Sequence, residues 1–225
     1  MLAGMVLSPG GLVTMIMMPI TGQLIGIVQP KYLIAAGSCI AALSMWHLTG
    51  LTGEVSYGYA ALARIYLAVG LPLLFVPVTT ASYDGVPPDK TNQASALINV
   101  ARNLGGSMGV ALTQTIWAQR QQFHQSRLVE HIAPSDIAYQ QAIEAMTRFF
   151  KAHGSSASDA ASQALAWVGQ TLHQQVDLLA YIDVFRSLAI IGAIMVPLAL
   201  TLKSIDLKAP ARGQERRKDN DTQRP

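Results

Sequence analysis

Asn99, Arg102 and Asn103 put a cation between two amides inside an otherwise apolar stretch, NQASALINVARNLGGSMGVAL at 92–112. At about 100° per residue they share one sector of a helix with Asn92, Ser95, Gly106 and Thr113, with Gln114 at its edge. A charge within a membrane is costly and by default marks function. Arg102 either works on a substrate or a gate, or locks a helix bundle by snorkelling or by pairing with Asn99, Asn103 or the loop acid Asp84. Asp183 and Arg186 stand i, i+3, with Asp177 a turn and a half earlier. A proton-carrying Asp183 would have to be buried; as an exposed pair with Arg186 it contributes little. His124, His131, His153 and His173 are scattered, with no cysteine or acidic cluster beside them, so no metal site is expected. Gly105, Gly106 and Gly109 are not followed by Gly-Lys-Ser/Thr and so form no phosphate loop. No nucleophile–base motif is present, which leaves no catalytic residue, no cofactor and no enzyme reading.

These groups need rigid elements to hold them. Beside the polar stripe runs a second one of small residues, Ala101, Gly105, Gly109 and Thr113, with Gly106 next to it. Small residues every fourth position let a neighbouring helix approach backbone to backbone inside lipid, so Ala101, Gly105, Gly106 and Gly109 are expected to pack a helix, the glycines lining a gate in the other reading. Leu97, Val100, Leu104, Met108, Ala111 and Leu112 are left for lipid or apolar neighbours. Only 13% of the 225 residues are charged, against about 25% in an average soluble domain. The mean hydropathy is +0.31, and positions 1–30 carry no charge.

Windows of about 20 apolar residues are therefore the unit to look for. The pattern predicts an all-α polytopic membrane protein with spans at about 2–28, 32–51, 60–82 and 92–117, making 1–118 a block of four. An extramembrane segment of two or three amphipathic helices follows at 119–178, then a last span at 179–202 and a polar, disordered tail at 203–225. Pro72 and Pro77 break the third span. They either kink it for packing or expose backbone to a substrate, with Phe75 between them free to touch an aromatic, lipophilic drug or plain lipid. The single cysteine, Cys39, has no internal disulfide partner.

Basic residues set the orientation. Lys31, Lys90 and the run Lys203, Lys208, Arg212, Arg216, Arg217, Lys218 and Arg224 fall on one side of alternating spans, while the opposite short loop sets Arg64 against Glu54. The C-terminus is expected to be cytoplasmic and the 119–178 segment external. The net charge of +3 reads as a topology signal, not as a nucleic-acid footprint. With no basic n-region before the first apolar run, no cleavable signal peptide is expected. Five spans do not complete a pair of three-helix repeats, so the chain is expected to be the C-terminal piece of a longer transporter.

SPGGLVTMIMMPITGQLIG at 8–26 with the following PKYLI resembles a late helix and cytoplasmic turn of EmrB/QacA-type drug:proton antiporters, the fourteen-helix branch of the major facilitator superfamily. LPLLFVPVTTASYDGVPPDKTNQASALINVARNLGGSMGVAL at 71–112 resembles that family's next-to-last helix pair, and AYIDVF at 180–185 the start of its last helix. The resemblance covers nearly the whole chain and corresponds to helices ten to fourteen. It implies a partial bundle in a bacterial inner membrane and, in the intact protein, proton-coupled export of lipophilic or cationic compounds by alternating access. The proton-coupling acids would lie in the absent N-terminal half, so the piece alone would be inactive. The partners it implies are the lipid bilayer, that N-terminal half, small-molecule drugs and, through 119–178, a periplasmic adaptor protein and an outer-membrane channel. In that setting Asn99, Arg102 and Asn103 would line the cavity, and Pro72, Pro77 and Phe75 would belong to a gate. A non-transporting membrane subunit or a gene remnant is the other reading.

Overall fold

The computed structural model describes residues 2–52, 56–130 and 137–202, and among them every regular element is helical. Helix α1 is Leu2–Ile25, α2 Pro30–Leu48, α3 Tyr57–Ser82, α4 Thr91–Glu130, α5 Ile137–Ala152 and α6 Ala157–Leu200, with a single 3₁₀ turn at Pro88–Lys90 before α4. The tail at 203–225, Glu54, His131 and the Pro134-Ser135-Asp136 helix start lie outside the described residues. Two compact units share the chain. The first takes in α1, α2, α3, α4 as far as Leu104 and α6 from Ser187; the second takes in α4 from Gly105, α5 and α6 as far as Arg186.

In the first unit α3 packs against both α1 and α2. The α2–α3 seam is a backbone contact. A Cβ on Gly37 would lie 2.9 Å from Gly70 O, Leu73 C and Leu74 N, and one on Gly70 would lie 3.0 Å from Gly37 O. Close approach of this kind supplies van der Waals attraction where lipid cancels the hydrophobic drive. It also brings Ser44 Oγ to within 2.7 Å of Ala63 O, to which it donates a buried interhelical hydrogen bond. Gly10 plays the same part for α1, since a Cβ there would meet Arg64 Cγ at 2.9 Å. The end of α6 joins through Gly192, which faces Ala42, and through a small cluster of Ile34, Ala35 and Ala199.

Prolines do not end these helices: α1 runs through Pro9 and Pro19, and α3 through Pro72 and Pro77. Nor do α4 and α6 stop where the hydropathy changes. The helix that holds the expected span at 92–117 continues to Glu130, and the one that holds the start of the expected span at 179–202 begins at Ala157. Residues 118–130 and 157–178 are rich in Ala, Gln, Leu and Arg, good helix formers, and contain no proline, so polarity alters the surroundings but not the backbone. At 1.5 Å per residue α4 and α6 are about 60 and 66 Å long, twice a hydrocarbon core of roughly 30 Å.

The junctions have local causes. Gly85, at φ 73°, turns the chain after α3. Gly154, at φ 95°, ends α5: its N–H donates to Lys151 O and that of Ser155 to Phe150 O, the paired bonds of a glycine C-cap. Ser156 Oγ then accepts from Asp159 N at 3.2 Å and starts α6.

Among the described residues α3 and α6 are long and apolar enough to cross a membrane. In α6, Ile190, Ile194 and Leu198 form an apolar stripe that is more than half exposed, a face that belongs against lipid or further helices and not water. Helix α4, carrying Asn92, Asn99, Arg102 and Asn103 in its first half, lacks that apolarity.

Candidate functional site

In the first unit, Arg102 sits eleven residues along α4 from Thr91, about 16 Å at the helical rise. Its Nη2 donates to Thr79 Oγ1 at 3.3 Å, joining α4 to the end of α3. Thr79 Oγ1 itself donates to Phe75 O, four residues earlier, at 2.8 Å. Thr80 and Ser82 fold back in the same way onto Val76 O and Val78 O, so their hydroxyl protons stay on α3. The partner of Arg102 is thus a hydroxyl. Among the described residues no carboxylate pairs with it, Asp84 included. Asn99 lies exposed one turn before it, on the same sector of α4.

Pro72 and Pro77 are fully buried in the first unit, whereas Phe75 between them is 51% exposed. Of the two readings offered for the prolines, burial in an unbroken helix supports packing. The small-residue stripe of α4 turns out differently. A Cβ added to Gly105, Gly106 or Gly109 would meet nothing within 4 Å, and no residue of α4 is buried. Among the described residues a glycine-to-glycine backbone contact is made instead by Gly37 with Gly70, which the sequence reading passed over.

The second unit holds a polar cluster that sequence reading also missed. Asp183 Oδ2 lies 2.8 Å from His124 Nε2 and 3.6 Å from Arg120 Nε. One turn and a half along, Gln121 Nε2 donates to Asp177 Oδ1 at 2.8 Å. Asp183 is therefore tied to α4, and Arg186 has no ion pair among the described residues. The tilted rings of Trp117 and Tyr181, centroids 6.1 Å apart, border a cavity of about 460 Å³ lined also by Thr113, Gln114 and Val184. The signal was present: Trp117, Gln121 and His124 repeat at i, i+4, i+7, as do Asp177, Tyr181 and Val184, two faces ready to pair.

Residues 1–110, which hold Arg102 and its neighbours on α3, match the model of the Major Facilitator Superfamily. Over that stretch, just under half of its length, the chain is similar to the major facilitator superfamily. Among curated relatives it is 31% identical over 134 residues to the uncharacterized MFS-type transporter YhcA of Bacillus subtilis, covering 60% of this chain and 25% of that protein. It is 29% identical over 148 residues to the multidrug export protein EmrB of Haemophilus influenzae, covering 65% and 29%. With the fatty acid resistance protein FarB of Neisseria gonorrhoeae it shares 23% identity over 201 residues, covering 89% and 38%. The chain thus spans about a quarter to two fifths of the length of these relatives. This likeness goes with an all-α integral membrane protein of a transporter family, not an enzyme, and with the many large apolar side chains that its helices expose.

Proposed function

We propose that this chain is the C-terminal part of a proton-coupled multidrug exporter of the inner membrane and is inactive without the preceding helices. Its first-unit helices serve as membrane spans, with the C-terminus in the cytoplasm, and lipophilic or cationic compounds leave by alternating access as protons enter. The observation that carries this reading is the line of Asn99, Arg102 and Asn103 on α4, a polar face that lipid would reject and a water-filled central cavity would accept. The names of the relatives, multidrug export and fatty acid resistance, support a lipophilic cargo. Positive residues at Lys31, Lys90 and beyond 202 support the orientation.

The unpartnered flank of Gly105, Gly106 and Gly109 is where a helix of the N-terminal half packs. The 119–178 segment lies outside the membrane and meets a periplasmic adaptor protein that leads to an outer-membrane channel. Drug susceptibility of an efflux-deficient strain tests the proposal, with this coding region expressed alone and then joined in frame to the sequence upstream of it. Resistance and proton-gradient-dependent dye export from the joined protein only is the expected outcome. Neither activity from the joined protein refutes the exporter.

A further inference from the structure

Arg102 carries a charge that nothing in the described part of the molecule cancels. Thr79 Oγ1 accepts one of its five N–H groups, and a hydroxyl oxygen at 3.3 Å offers a dipole but no counter-charge. Arginine does not lose its proton in a protein, so an intramembrane guanidinium needs a counter-anion or deep hydration. Its planar fork fits a carboxylate through two parallel hydrogen bonds. Beside it are an amide, Asn99, on the same sector of α4, and an exposed ring, Phe75, on the same face of α3 as Thr79. A polar head and an apolar surface thus adjoin at one place.

From this we infer that Arg102, with Asn99 and Thr79, forms a subsite for amphipathic carboxylates, the carboxylate on the guanidinium and the alkyl or aryl part against Phe75. The inference rests on the exporter reading and narrows its cargo. At this wall an anionic amphiphile is favoured and a permanent cation is repelled, so cationic compounds bind elsewhere in the exporter. Thr79 acts as a positioning residue: its oxygen holds one Nη group, while the rest of the fork faces the ligand.

The test is equilibrium binding of radiolabelled laurate and of dodecanol, equal in chain length but uncharged, to the purified upstream-joined protein in detergent. Wild type should bind laurate saturably and at least tenfold more tightly than dodecanol. Arg102→Gln should reduce laurate affinity to that for dodecanol, while a helical circular dichroism spectrum equal to that of wild type shows that the variant is folded. Arg102→Lys, which keeps the charge but not the fork, should fall between. Equal affinity of wild type for laurate and dodecanol overturns the inference, as does laurate binding indifferent to Arg102→Gln. So does an absence of laurate binding because an acid of another helix already occupies Arg102. Any of these outcomes together with intact export of cationic dye sinks the subsite and leaves the exporter standing; loss of all export by wild type sinks the exporter itself.

Discussion

Gly37→Ala should destabilise the chain and Gly109→Ala should not, although both replace a glycine inside a helix. At Gly37 the new methyl carbon would lie 2.9 Å from three backbone atoms of α3, all of them fixed in a helix. Carbon atoms prefer separations of about 3.5–4.0 Å, so α2 and α3 must part by roughly 0.6–1 Å. A gap of that size forfeits about a quarter to a half of each dispersion contact along the seam. It also stretches the 2.7 Å Ser44–Ala63 bond. Overpacking of this kind costs about 1–3 kcal/mol. At Gly109 the methyl meets nothing within 4 Å, and alanine is the better helix former by about 1 kcal/mol. Unfolding of this chain by SDS in mixed micelles, followed by circular dichroism, should show Gly37→Ala with an earlier midpoint and Gly109→Ala with an equal or later one. Equal destabilisation by both would refute the assignment of the close seam to Gly37 and Gly70.

Other outcomes follow from individual contacts. Ser44→Ala removes one buried interhelical hydrogen bond and should cost about 0.6–1 kcal/mol in the same micelle assay. A double-mutant cycle of His124→Ala with Asp183→Ala should give a coupling of about 1 kcal/mol, read from the protease resistance of the second unit, and a coupling of zero would mean that the 2.8 Å contact does not join α4 to α6. Gly154→Ala forces a side chain into the left-handed region at φ 95° and should cost about 1–2 kcal/mol, seen as loss of α5 helicity by circular dichroism.

Much of the fold was legible from spacing. The all-α class follows from the succession of apolar windows, and the loop that carries Asp84 and Lys90 lies between two of them. The helices α4 and α6 reach beyond the spans read at 92–117 and 179–202 because hydropathy marks a change of solvent, not of backbone, and Gln continues a helix as well as Leu does. Small-residue spacing on α4 advertised a seam, yet spacing says only that a face permits close approach, not that a neighbour is there. Gly37 and Gly70 sit 33 residues apart on different helices, and nothing within either helix announces that they will meet. The Asp183 partnership was hidden for the same reason: Arg186 was near in sequence, whereas His124, 59 residues away, was near in space.

An exporter cavity requires the amide-bearing side of α4 to border water inside the membrane. In a Cys39→Ser background of the upstream-joined protein, single cysteines at Asn99, Asn103, Leu97 and Leu104 can be exposed to a charged, membrane-impermeant thiol reagent. Labelling at 99 and 103, with 97 and 104 protected, is the predicted pattern. Labelling at 97 and 104 with 99 and 103 inert would contradict it.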